Sequence, residues 1–132
     1  MKILIDTQIF LWLFGFSSRI SPNVRQLLKD SNNTIYFSAV SAWEIAIKYG
    51  NGKLQLADEP KNFIPNRLKR ANFNWLEINH KHALEVAKLP QIHKYPFDRL
   101  LITQSNIENL MLLSADNIFS QYSVKLIDAK TY

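Results

Sequence analysis

Apolar residues in this chain come as short continuous runs separated by amphipathic stretches. This is the pattern of buried parallel strands alternating with helices. Ile3-Leu4-Ile5 reads as a strand buried on both faces, with Asp6 at its tip. Thr7 to Phe14 reads as a short helix, apolar nearly all round and closed by Gly15. Ser21-Pro22 supplies a cap and a first-turn proline for a helix reaching about Asp30, with Val24, Leu27 and Leu28 on its inner stripe. Ser31-Asn32-Asn33 is a turn, Thr34 to Ser38 a second strand, and about Val40 to Tyr49 a helix stopped by Gly50-Asn51-Gly52. Pro60 and Pro65 bracket the start of a helix ending near Ala71. Phe73 to Ile78 reads as a third strand, and His80 to Lys88 as a short helix with Ala83, Val86 and Ala87 inward. A helix from Phe97 to about Asn109, a strand from Met111 to Ser114, a short turn and a last strand from Val124 to Ile127 complete the pattern. The alternation predicts one three-layer α/β domain over residues 1–132, with a central, mainly parallel sheet of about five strands.

Composition narrows the class. At 47% hydrophobic and 20% charged, the chain reads as a folded globule rather than a disordered tail. It has no cysteine, which excludes disulfides, thiolate zinc sites and thiol nucleophiles, and which fits a reducing cytoplasm. The longest apolar run, Ile9 to Phe14, is far short of the ~20 residues of a membrane span. Asp6 interrupts that segment and no small-residue cleavage site follows, so a soluble, cytoplasmic protein is expected. A net charge of +5 admits a polyanionic partner without requiring one. Arg67, Lys69 and Arg70 read as a solvated basic face, with phosphate contact as the alternative.

Of the 11 acidic residues, four stand apart, because each interrupts an apolar run at a strand tip or early in a helix: Asp6, Glu44, Asp98 and Asp116. Each has an ordinary explanation. Asp6 can cap the helix that follows, and Ser41 with Glu44 has the spacing of a capping box. Asp98 suits the positive end of its helix and can pair with Arg99; Asp116 can cap the turn from Asn117 to Phe119. A parallel sheet, however, brings such positions to one edge, beyond the carboxyl ends of the strands. Clustered carboxylates repel unless some protonate or a cation joins them. A hard divalent ion such as Mg2+ resolves that conflict, activates water and binds phosphate oxygens, which points to metal-dependent phosphodiester hydrolysis.

Four segments then carry a resemblance: Ile5-Asp6-Thr7, Ser41-Ala42-Trp43-Glu44-Ile45, Pro96-Phe97-Asp98-Arg99-Leu100-Leu101 and Ser114-Ala115-Asp116. In these segments, their order and its length, the chain resembles PIN-domain proteins, specifically the VapC-like ribonuclease toxins of type II toxin–antitoxin pairs. The resemblance implies a central sheet with Asp6 on its middle strand and a Mg2+ or Mn2+ site built from Asp6, Glu44, Asp98 and Asp116. It also implies RNA cleavage leaving a 3′ hydroxyl and a 5′ phosphate, a homodimer, and a cognate VapB-like antitoxin that covers the site. Two positions depart from the pattern: Gln8 stands where relatives often have His, and Tyr95 where they often have Asp.

Competing chemistries find less support. His80 and His82 are two apart at a helix start and point in different directions, and with His93 they fall short of a zinc set. No glycine-rich phosphate cradle occurs, and Gln8 occupies the place where an aspartyl-phosphate phosphatase wants its second acid. The alternative is a catalytically weak or inactive interaction module that binds an antitoxin or RNA. For the antitoxin, the apolar faces around Trp43, Phe63 and Ile64 form the candidate groove. For the dimer, the helix Phe10 to Phe14 is the candidate contact.

Overall fold

The computed structural model describes all 132 residues. Five strands form one sheet in the order β3-β2-β1-β4-β5, and every adjacent pair is parallel. The strands are β1 (Lys2–Ile5), β2 (Thr34–Ser38), β3 (Asn74–Leu76), β4 (Met111–Ser114) and β5 (Leu126–Asp128). The helices are α1 (Thr7–Gly15), α2 (Pro22–Lys29), α3 (Ala39–Gly50), α4 (Pro60–Ala71), α5 (His80–Glu85) and α6 (Pro96–Glu108). Tight 3-10 turns occupy Ser17–Arg19, Val86–Lys88 and Asn117–Gln121. No helix is long and apolar enough to cross a membrane.

The sheet separates two cores because successive strand residues point to opposite faces. Ile3 and Ile5 of β1 join Ile35 and Phe37 of β2 in a larger core with Ile9, Phe10, Val24, Leu28, Ile45, Phe63 and Leu68. Leu4, between them, joins Leu112, Leu101, Ile102 and Phe119 on the other side. Both faces are therefore covered, which is why β1 reads as an unbroken apolar run. Its central place follows from the register: Leu4 lies beside Tyr36 on one flank and Leu112 on the other.

Helix ends follow local chemistry, with some differences from the expected boundaries. The Ser21 hydroxyl accepts from Val24 N at 3.1 Å, as its cap position predicts. For α3 the cap is Ser38, whose hydroxyl accepts from Val40 N at 2.9 Å, and not Ser41. The helix thus begins directly at the strand end and leaves Ser41 and Glu44 inside it. The third strand is shorter than the apolar alternation predicts, because Phe73 is spent on closing α4. Its N–H bonds Leu68 O at 2.9 Å while Asn72 N bonds Lys69 O at 3.2 Å, a Schellman pair. The last strand likewise starts at Leu126, not Val124.

In α5 the inward residue is His82, 1% exposed, whereas Ala83 and Ala87 face solvent. His82 Nδ1 accepts from Asn79 N at 3.2 Å, and Nε2 reaches Glu108 at 2.8 Å. A polar side chain with both ring nitrogens hydrogen-bonded replaces the apolar stripe, so apolar periodicity does not find it.

Asn72 closes α4 at φ 59°, in the left-handed region where a Cβ is strained and Asn is tolerated better than Ala. Asn72→Ala is expected to lose about 1 kcal/mol of stability and Asn72→Gly to be neutral or slightly stabilising. Urea unfolding of the two variants checks this; equal losses in both would point to a side-chain contact of Asn72 instead.

Candidate active site

The strand order changes direction between β1 and β4, and in open parallel sheets ligands bind in the crevice beyond the strand ends at such a point. A cavity of about 490 Å³ opens there. Its wall includes Asp6, Glu44, Asp98 and Asp116, with Thr7, Gln8, Lys48 and Tyr95 among them. Four acids lying between residues 6 and 116 thus meet one space, Asp6 and Asp116 just past strand ends, Asp98 in the first turn of α6 and Glu44 from within α3.

Asp6 leaves β1 and caps α1, its Oδ1 accepting from Ile9 N at 2.8 Å. The capping and cavity placements of Asp6 are therefore both real. Burial pushes its carboxyl up to about 7; the Ser114 hydroxyl and the Ile9 amide pull it back, and the charges of Asp98 and Asp116 raise it further. Asp98 stands in the first turn of α6. Burial raises its pKa, a hydrogen bond from His93 opposes this, and Glu44 and Asp116 add to the rise. Asp116 caps the turn that follows β4, accepting from Ile118 N at 3.0 Å, and is open to solvent.

Glu44 differs in being already satisfied. Thr7 Oγ1 donates to its Oε1 at 2.6 Å and accepts from Ser41, 2.8 Å away. Lys48, one helical turn on, bonds Oε2 at 2.8 Å, and the Tyr95 hydroxyl donates to the same oxygen. Burial pushes the Glu44 carboxyl up, but these three donors outweigh it and hold the group below the usual range. Tyr95 therefore serves as a donor to Glu44. Gln8 borders the cavity without a resolved side-chain hydrogen bond.

No three His, Asp or Glu side chains are gathered as a ready ligand set around one point. The acids line the wall of the cavity instead. Lys48 is the one cationic side chain of that wall, and it is engaged by Glu44. The charges of Asp98 and Asp116 raise Asp6, and those of Glu44 and Asp116 raise Asp98, where only His93 opposes the rise. That donor set fits a hard divalent cation, which takes one or two carboxylates directly and keeps waters for the rest.

His93 escapes sequence reasoning. Its Nε2 lies 3.1 Å from Asp98 Oδ2, a contact across the chain's loop that no spacing rule announces. Asp98 pairs with this histidine and not with Arg99, which turns the other way, into the loop carbonyls. The three residues of the candidate antitoxin groove separate as well. Phe63 and Ile64 belong to the core, while Trp43 is 52% exposed and packs edge-on against Phe97, 5.0 Å between centroids. Of the candidate dimer contact, Phe10 is fully buried in its own core, and only Leu11 to Phe14 retain part of their surface.

The family model described as PIN domain matches residues 3–125. Ribonuclease VapC16 of Mycobacterium tuberculosis is 40% identical over 59 residues, a stretch covering 45% of this chain and 42% of that protein. The match thus spans less than half of that relative's length. Among solved structures, VapBC2 from Rickettsia felis, bound to a DNA fragment from its promoter, superposes with a TM-score of 0.76 at 19% identity, covering 97% of this chain and 98% of that one. FitAcB from Neisseria gonorrhoeae superposes with a TM-score of 0.64 at 19% identity, covering 98% and 99%. At such identities these two likenesses are likenesses of fold.

Proposed function

The chain belongs to the PIN-domain family, and from that premise we propose that it is a Mg2+- or Mn2+-dependent endoribonuclease, the toxin of a type II toxin–antitoxin pair. The observation that carries the reading is the cavity at the carboxyl edge of the sheet, walled by Asp6, Glu44, Asp98 and Asp116. The names of the relatives, a VapC ribonuclease and VapBC assemblies, support it.

In this reading Asp6, Asp98, Glu44 and Asp116 are the residues that would hold the cation. When bound, such a cation would lower the pKa of a water for attack on phosphorus and would stabilise the departing oxygen. The residues of the chain do the rest. The Ile9 amide and the Ser114 hydroxyl fix Asp6. Lys48 and Tyr95 keep Glu44 ionised beside the cavity, so that it can accept a proton from a water there. Lys48 also sits where a backbone phosphate of the polyanion enters, within a chain of net charge +5.

For the antitoxin we propose a surface that keeps Phe63 of the expected groove and lies next to the catalytic cavity. Beside the cavity, and sharing Gln8, Leu11 and Lys48 with it, runs a second depression with Phe14, Phe16, Leu54, Leu56 and Phe63 on its wall and Lys53 and Arg67 at its rim. A VapB-like antitoxin segment with apolar and acidic side chains fits it and would cover the catalytic cavity from there. A homodimer through the exposed remainder of α1 and a cytoplasmic location complete the proposal.

One observation favours the alternative of an inactive binding module: both Glu44 oxygens are already engaged by the chain itself. Incubating the purified protein with RNA decides between them. Cleavage with Mg2+ or Mn2+, leaving 5′ phosphates and stopping in EDTA, is the expected result. Persistent cleavage in chelator would remove the metal mechanism, and no cleavage with any divalent ion would favour the binding module. A monomer in solution at all concentrations would remove the homodimer.

A further inference from the structure

Arg99 is 6% exposed and has no acidic partner. Its guanidinium faces main-chain oxygens of the loop before α6: Nη1 lies 2.8 Å from Pro90 O and 3.3 Å from His93 O, and Nη2 lies 3.4 Å from Val86 O. A buried cation satisfied by neutral carbonyls is a fastening device, and here it fastens the loop that carries His93 to the helix that carries Asp98. Nη1 also donates to the Tyr122 hydroxyl at 3.2 Å, and His93 N donates to the same oxygen at 3.3 Å.

These two donors decide the direction of the remaining bonds. With its oxygen accepting from Arg99 and from the His93 main chain, Tyr122 must spend its one proton outward, on His93 Nδ1 at 2.6 Å. Nδ1 is then the acceptor, the ring proton resides on Nε2, and Nε2 donates to Asp98 Oδ2 at 3.1 Å. The order of donation runs from Arg99 through Tyr122 and His93 to the carboxylate.

We infer that His93 is a positioning residue for Asp98, locked by Tyr122 and Arg99 in the tautomer that ties down Oδ2 and leaves Oδ1 for a divalent cation. This rests on the reading of Asp98 as a cation ligand. Hydrogen-bonded partners behind a ligand typically govern metal affinity by about 10–100-fold.

Mn2+ binding followed by electron paramagnetic resonance tests it on the intact chain. His93→Ala is expected to weaken Mn2+ binding about tenfold or more. His93→Gln, whose amide nitrogen can stand in for Nε2–H, should restore most of it. Tyr122→Phe should weaken binding in part, and His93→Ala combined with Tyr122→Phe should be no weaker than His93→Ala alone, since Tyr122 acts through the histidine. In RNA cleavage, kcat should fall with KM unchanged. Without any metal, ¹⁵N correlation spectra should show Nδ1 bare and Nε2 protonated in the wild type, and a tautomer mixture in Tyr122→Phe. The opposite tautomer, or unchanged affinity in His93→Ala beside a wild type that binds Mn2+, overturns the inference alone. A wild type that takes up no Mn2+ overturns the ligand reading of Asp98 with it.

Discussion

Asp6→Asn is expected to lower metal-dependent RNA cleavage by about a hundredfold or more, and to raise the unfolding temperature of the metal-free protein at pH 8. The two effects have one cause. Asn keeps the side-chain oxygen that accepts from Ile9 N, so the cap of α1 survives. What disappears is a buried negative charge beside two other acids. Burial holds Asp6 at about 7, far above its ordinary value of 3.8, so between those limits the folded chain carries more protons than the unfolded one. Stability is then fully present below about pH 4 and is lost as pH rises through 7, by at most about 4 kcal/mol on this group's account. The Asn variant lacks that slope. Calorimetry in EDTA at pH 5 and pH 8 measures it. A variant less stable than the wild type at pH 8 would mean that Asp6 is stabilised by something other than a cation.

Phe10→Ala is expected to lose about 3–5 kcal/mol, a large part of the 5–15 kcal/mol that holds a domain together. Its ring lies 4.4 Å from Phe37, 5.0 Å from Phe14 and 6.3 Å from Phe63, with no surface exposed. Truncation opens a cavity where α1, α4 and β2 meet, and interiors this dense relax only partly around such a gap. Phe16, just past the end of α1 and 68% exposed, provides the contrast: Phe16→Ser should change stability by no more than about 0.5 kcal/mol. If Phe16→Ser abolished self-association while leaving stability intact, the exposed end of α1 would be the dimer contact. A small loss in Phe10→Ala by urea unfolding would contradict the packing described.

How much of this was legible in the sequence depended on the range of the interaction involved. The strands β1, β2 and β4 were readable because a strand buried on both faces must be apolar throughout, and Ile3-Leu4-Ile5 has no other use. The four acids were readable because a charge within an apolar run needs a reason. Boundaries failed where one residue served two elements. Phe73 looks like a strand residue, yet its N–H is taken by the end of α4; Ser41 has the spacing of a cap, yet Ser38 is nearer the strand end and takes the role. His82 and His93 were opaque for a different reason. Each is defined by partners 26 and 29 residues away, Glu108 and Tyr122, and periodicity carries no information at that distance. The Trp43, Phe63 and Ile64 groove separated because hydrophobicity does not say which of these side chains faces the core: Phe63 and Ile64 are buried and Trp43 is exposed.

The place of β1 between β2 and β4 also imposes a timetable on synthesis. While the chain emerges from the ribosome, β1, β2 and β3 are neighbours and can pair before anything later exists, bringing Asp6 and Glu44 together. Asp98 and Asp116 come afterwards, and β4 must dock on the open flank of β1 before the fourth acid is in place. At about 5–20 residues per second, the stretch from Glu44 to Asp116 takes roughly 4–14 s to make. If the four acids act together as proposed, a nascent copy would be chemically silent through that interval, and a neutralising protein made alongside it would have that time to fold and be waiting.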